Sequence, residues 1–565
     1  MAALSSIIRN ARIIDGTGAA AFTGDIGMDG DRIAAVGTVT AHAPREFDAR
    51  GLAVAPGFID IHTHYDPQLC WDRLATPTPE HGVTSIVIGN CAVGLAPVRE
   101  SGRSLVIGLF GSVEDMDARL LTDSVPFCWE SVSQYLDYLH QGLGPNVGVL
   151  IGHAVLRLFV MGEEAGRRAA TPAEVQAMAT VLAEAMAAGA LGLSLTFNHL
   201  DDRGGKIACT YADDHEIVQL MSVVAHAKRA VSSGTVAGYT GGIVEVAPDL
   251  GSGEASVATV ERFGRLTLQS GARCSISPIL QNPRRGDDWR RLVESLEMWR
   301  ARGARIFGQT QVRPMNATMR LSMGIGLLSK FPTWRRILAL PATQRMVAFA
   351  DEGLRDQLDA ECASVHKQLG ELTVKQGESP ATRALLGLSV AQVARRQDKT
   401  VSGAFLDVAL QDDLETGFGI ENHMHNDPAA LRVLLNHPAV HLGAADAGAH
   451  INQFSGAGDT GHLLAHYVRE TGMMSLERAV QRVTSELADD WGLAGRGRIA
   501  VGAFADLVVF DPATVGRCDE QWVNDIPGGS GRFVRHARGV DKVFVNGRLL
   551  VDGGEYSSER PGRIL

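Results

Sequence analysis

Little in this chain of 565 residues points to export, membranes or nucleic acid. Its seven cysteines (Cys70, Cys91, Cys128, Cys209, Cys274, Cys362 and Cys518) include no C-x-x-C pair, which argues against a disulfide framework or a structural zinc knuckle and for a reducing cytoplasm. No apolar run is long enough for a membrane-spanning helix, and the opening MAALSSIIRN lacks the cationic flank and long apolar stretch of an export signal. Basic side chains are in deficit. Fifty-three Lys and Arg against sixty-four Asp and Glu leave a formal charge of -11, a surface that repels nucleic acid and anionic lipid. Neither a G-x-x-x-x-G-K-[ST] phosphate loop nor a G-x-S-x-G nucleophile elbow occurs, which disfavours phosphoryl transfer and serine-hydrolase chemistry. Aromatics make up only 6%, whereas glycine is abundant at 63 residues, a balance that favours many tight strand-to-helix turns.

What is present is ample apolar material, 45% of the chain, arranged in two patterns. Both ends carry short alternating runs punctuated by Gly and Asp: SIIRNARII and GDIGMDGDRIAAVG near the start, GRIAVGAFADLVVFDP and KVFVNGRLLVDGG near the finish, with Asn546-Gly547 as a hairpin turn. Residues 1–55 and 496–565 are therefore expected to pair into one small β-sandwich. Between them, FIDIHTH, GVTSIVIGN, NVGVLIGHA, GALGLSLT, ARCSISPIL, ARIFGQTQV and VHLGAADAG alternate with amphipathic segments, with AVSSGTVAGY as a weak further strand in fifth place. Buried strands alternating with helices predict a (β/α)8 TIM-like barrel over 56–495, with its chemistry where strands end in loops. Residues 315–400 break the rhythm and read as a helical insertion, either a cover for the mouth or a peripheral packing element.

The sharpest local signal is PGFIDIHTHYD. Alternate side chains of a strand share a face, so His62 and His64 are placed to hold one metal ion by two imidazoles. Two further histidines, His153 in IGHAVLR and His199 in FNHLDDRGG, fall at strand ends and are candidates for metal or substrate contact. His226 reads as a core residue of a helix, and the H-x-H of ENHMHND as a solvated loop before a helix capped by Asp427-Pro428.

The string VAPGFIDIHTHYD, with the β-rich module before it and GRIAVGAFADLVVFDP late in the chain, resembles the metal-dependent amidohydrolase superfamily. The continuation HGVTSIVIGNCAVGLAPVR resembles the N-acyl-D-amino-acid deacylases within it. That resemblance implies a hydrolase of non-peptide amide bonds, acting on a small molecule. It implies Cys91, in Gly89-Asn90-Cys91, as a metal-ligating thiolate, and Asp446, in HLGAADAGAH, as the catalytic carboxylate beside the metal. Zinc is the expected ion, one per chain, held by His62, His64 and Cys91 with Asp446 nearby, and His153 is a candidate to stabilise the oxyanion. A substrate carboxylate calls for a donor such as Arg157 or Arg313, and His450 stands close enough in sequence to Asp446 to reach substrate at the same rim.

The chain also departs from the family's pattern. The resemblance predicts a histidine at the end of the fifth and sixth strands and a lysine after the sixth, and SSGTVAGYTGG and CSISPILQNP contain neither. No lysine lies in GALGLSLT, so a lysine carbamate bridging two metals is not expected. Two alternatives therefore stand beside the deacylase: a hydrolase of a cyclic amide, lactone or other amide or ester, and a metal-poor binding protein. A homo-oligomer is compatible with either.

Overall fold

The computed structural model describes residues 4–199, 205–227, 241–323 and 325–565. Eight parallel strands form the barrel: β1 (Phe58–Asp60), β2 (Val83–Ile88), β3 (Asn146–Gly152), β4 (Gly192–Thr196), β5 (Ile243–Ala247), β6 (Arg273–Ile276), β7 (Arg305–Thr310) and β8 (Val440–Leu442), neighbours in that order. β2 to β5 are buried along their whole length, which is why they read as unbroken apolar runs. The ring closes just beyond the ends of β1 and β8. There Thr63 pairs in parallel with Ala447, the His64 amide donates to the Ala447 carbonyl at 2.7 Å, and the Asp446 amide donates to the His62 carbonyl at 3.2 Å. Ile59, Ile61, Val87, Leu150, Leu191 and Ile243 pack together inside with Leu487 and Trp491 of a C-terminal helix.

The fifth strand differs from expectation. AVSSGTVAGY lies at 230–239, outside the described residues, and the strand that occupies fifth place is IVEVA at Ile243–Ala247. Its parallel pairing with both β4 and β6 settles its place.

Both chain ends enter one nine-stranded sheet. Ala53–Pro56, from the start of the chain, runs antiparallel to Leu507–Phe510, from its end, and Ile8, Ile13, Ile26, Val54, Leu507 and Phe544 form the apolar layer. Val540–Val545 turns into Arg548–Asp552 through Asn546 and Gly547, at φ 46° and 75°, the left-handed pair that a two-residue hairpin requires.

The insertion is a compact unit of its own, and it is larger than its sequence suggested. It runs from Pro314 to Asn426 and takes in His450–Phe454. Trp334, Phe349, Phe405 and Phe418 belong to its core, and Ala317–Met319, Gly417–Ile420 and Thr373–Gln376 pair as a three-stranded sheet. Val401–Leu410 and Gly417–Ile420 belong to it because Phe405 packs against Phe418, ring centres 4.4 Å apart and tilted by 49°, a contact that no local pattern announces. Two smaller readings are corrected. His425 is buried rather than solvated, and His226 is exposed at the end of its helix, with Nδ1 2.8 Å from the Ser222 carbonyl oxygen. No described helix is long and apolar enough to cross a membrane.

Candidate metal centre

His62 and His64 follow β1 with Thr63 between them, and the Thr63 amide and hydroxyl both donate to the Val87 carbonyl of β2, at 3.0 and 2.8 Å. This doubly tied residue turns both histidines to the opposite side, where their rings lie 5.3 Å apart and are buried. Cys91 comes from the turn after β2. Its Sγ is 3.6 Å from His62 Nε2, and ligand atoms of His62, His64 and Cys91 all lie within 4.8 Å of one another. Asp446, in the loop after β8, brings Oδ1 to 3.3 Å from His62 Nε2 and 3.8 Å from His64 Nε2, with 28% of its side chain exposed.

The Nδ1 atoms face elsewhere. His62 Nδ1 lies 3.2 Å from Gln309 Oε1 on β7 and 3.0 Å from Ser277 Oγ beyond β6. Gln309 is oriented in turn, because its Nε2 donates to Ser275 Oγ at 3.0 Å. With Nδ1–H donating to the Gln309 carbonyl, the His62 proton is placed on Nδ1 and the Nε2 lone pair turns toward Cys91 and Asp446. His64 Nδ1 lies 3.2 Å from Glu114 Oε1.

The electrostatics call for a cation. Burial pushes the Cys91 thiol well above its usual range, with Glu245, Glu114 and Asp446 adding to the shift. Burial likewise raises the Glu245 carboxyl, against the hydrogen bond from Cys91, and lowers His62, against the pull of Asp446. Three carboxyls and a thiol therefore converge around His62, which burial keeps from protonating, and a divalent ion would supply positive charge at this spot. Two imidazole nitrogens, a sulfur and a nearby carboxylate are a donor set that suits zinc.

The other sequence-predicted residues lie in different settings. His153 and Arg157, at the start of the helix after β3, are fully buried around Glu216: His153 Nε2 is 2.8 Å from Glu216 Oε1, and Arg157 Nη1 donates to Glu216 Oε2. Arg157 Nη2 donates to the Ala165 and Arg168 carbonyls, so both its terminal nitrogens are committed, and the expectation of a substrate clamp is corrected: no carboxylate reaches a guanidinium spent inside the wall. His153 shares that enclosure. Burial alone would lower it, but Cys209 and Glu216 outweigh this and raise it to about 9. Its Nε2 is thus taken, which corrects its assignment as an oxyanion donor.

Arg313 follows β7 and is paired with Asp459, while Nη2 donates to the Ala445 carbonyl at 3.0 Å; it braces the loop that carries Asp446. His199 stands beyond β4 with Nδ1 2.9 Å from Thr196 Oγ1. His450 belongs to the insertion's unit, its ring 5.6 Å from that of Phe454. Sequence reasoning missed Glu245, Glu114, Gln309 and Ser277. Glu245 did leave a signal, a carboxylate inside the run IVEVA between Gly-Gly and Pro; the other three left none.

A parallel barrel with histidines after β1, a thiol after β2 and a carboxylate after β8 defines a metal-dependent hydrolase class, and the comparisons place the chain within it. The amidohydrolase family model matches residues 45–551, and the chain belongs to that family. It is similar to the N-acyl-D-glutamate deacylase of Alcaligenes xylosoxydans xylosoxydans, 30% identical over 100% of this chain and 96% of that one. The D-aminoacylase of the same organism is 29% identical over 99% of this chain and 97% of its own. Among solved structures, N-acyl-D-glutamate deacylase from Bordetella bronchiseptica, complexed with zinc and a phosphonate mimic of the tetrahedral intermediate, superposes with a TM-score of 0.69 at 25% identity. That match covers 100% of this chain and 99% of that one.

Proposed function

We propose that this protein is a zinc-dependent deacylase of N-acyl-D-amino acids, using one ion per chain and releasing a carboxylate and a free amino acid. The observation that carries the reading is the convergence of His62, His64, Cys91 and Asp446 at the seam where the barrel closes, in a chain alignable end to end with deacylases of that class. A single ion is supported by the donor set: among the described residues this is the one cluster of three or more ligands, and Ala247 at the end of β5 and Ser277-Pro278 beyond β6 bring no imidazole.

When bound, the divalent ion supplies Lewis-acid chemistry, acidifying water and polarising the scissile carbonyl. His62 and His64 would hold it, with Gln309 and Ser277 fixing the His62 proton on Nδ1 so that Nε2 is left for the ion. Asp446, reaching solvent on one side and the imidazoles on the other, accepts the proton of the attacking water and returns it to the leaving amine. His199 is retained as a substrate contact, since the carboxylate of an acyl amino acid needs donors that Arg157 does not offer. A cytoplasmic setting accords with seven cysteines, none of them in a disulfide.

The test is a substrate panel on the zinc-loaded enzyme: N-acyl-D-amino acids, their L-enantiomers, lactams, lactones and aryl amides. The D-series should turn over and lose turnover on chelation. Hydrolysis of lactams or lactones with no acyl amino acid consumed would overturn the reading.

A further inference from the structure

The turn that presents Cys91 is built in a conformation its residues do not favour. Cys91 sits at φ 53° and Ala92 at φ 64°, two successive residues with Cβ atoms in the left-handed region. Each such residue is strained and persists only where its surroundings over-determine it. The surroundings here are specific. The Gly89 amide donates to Asp66 Oδ2 at 3.1 Å, and Asn90 Nδ2 donates to the Thr63 and Val87 carbonyls at 3.2 and 3.0 Å. The Ala92 amide donates to Ser194 Oγ on β4 at 3.0 Å, and the Cys91 amide donates to Glu245 Oε2 on β5 at 3.1 Å. Ser194 and Glu245 are register partners across β4 and β5, so one row of side chains holds both left-handed residues.

Glu245 is anomalous as a core residue. It is fully buried, and apart from the Cys91 amide its charged neighbourhood is acidic: Asp446 and Glu114. Its second oxygen, Oε1, has no hydrogen-bond partner among the described residues and lies 4.0 Å from His62 Nδ1. A carboxyl kept there at such desolvation cost, where valine or leucine would complete an apolar strand, calls for a use.

We propose that Glu245 is the positioning residue of the metal centre. By accepting the Cys91 amide proton it locks the left-handed turn that aims the thiol at His62 and His64. The fifth strand, which brings no histidine, thus contributes by orienting a ligand from the second. This rests on the reading of Cys91 as a ligand, and it predicts that any side chain offering a carbonyl acceptor at this depth suffices, charged or not.

The experiment loads full-length protein with cobalt in place of zinc and records the near-ultraviolet thiolate-to-cobalt absorption and the cobalt affinity, alongside turnover. Wild type should show the band and Cys91→Ala should lack it; a wild type without the band overturns Cys91 ligation, and this proposal with it. Given the band, Glu245→Gln should keep its position and the affinity. Glu245→Leu should weaken the band and lower affinity by about ten- to a hundredfold, the usual cost of removing a group that orients a ligand. Should Glu245→Leu fail to fold, Glu245→Val, better suited to a buried strand, takes its place. A wild-type band and affinity in the apolar variant would overturn the proposal while leaving Cys91 ligation standing. Loss in Glu245→Gln equal to that in the apolar variant would overturn it too, because charge rather than hydrogen-bond acceptance would then be the requirement.

Discussion

Asp446 combines three properties at one residue: proximity to two imidazoles, partial access to solvent, and a backbone held at φ 53° by the loop after β8. A general base needs the first two, and the third fixes its direction. Asp446→Asn should therefore keep the fold and zinc content but lower turnover at least about a hundredfold, measured by steady-state kinetics beside metal analysis. His153 carries a prediction of a different kind. Its folded-state value is raised to about 9 from the ordinary 6.5 of a histidine, so the stability it contributes is complete below about pH 6.5 and is lost as pH rises through about 9. Urea midpoints should fall between pH 7 and pH 10, and His153→Asn should flatten that fall. At this scale the histidine pair was legible in PGFIDIHTHYD because strand alternation alone places both rings on one side. Arg157 was misread because a guanidinium at a strand end looks alike in sequence whether it meets substrate or Glu216, 59 residues away.

Elements whose burial is uniform announced themselves. β2, β3 and β4 are apolar runs with helices between, and they fold where they were expected. β5 did not announce itself, because Glu245 interrupts its apolar run and AVSSGTVAGY, itself only a weak strand signal, reads as the fifth strand just before it. The insertion's later boundary was hidden too, since its sheet joins Ala317–Met319 to Gly417–Ile420, 98 or more residues on, through pairing that leaves no local periodicity. Where β4 meets β5 the backbones approach closely: a Cβ at Gly192 would lie 1.8 Å from the Ile243 carbonyl oxygen. Gly192→Ala should force these strands apart and cost more than about 2 kcal/mol in urea unfolding, large among single substitutions, while disturbing the row that holds the Cys91 turn.

Across the whole molecule, the chain ends are tied to the barrel by a buried polar knot. Asp506 pairs with Arg496 and accepts from the Asn546 amide at 2.8 Å, and Asn546 Nδ2 donates to Asn146 Oδ1, at the start of β3, at 2.7 Å. Removing one partner strands a buried charge, so Arg496→Ala should cost about 3–5 kcal/mol, read as a lowered urea midpoint, with any residual activity retaining its KM. The hairpin turn at Asn546-Gly547 was legible in sequence; its tie to β3, 400 residues earlier, was not.

The claim on which the account depends is the place of the ion. Diffraction from crystals grown with zinc, collected on both sides of the zinc absorption edge, tests it most directly. A single anomalous peak within bonding distance of His62 Nε2, His64 Nε2 and Cys91 Sγ, beside Asp446, is the predicted result. A peak held by other side chains, or none at those three atoms at full zinc loading, would contradict it.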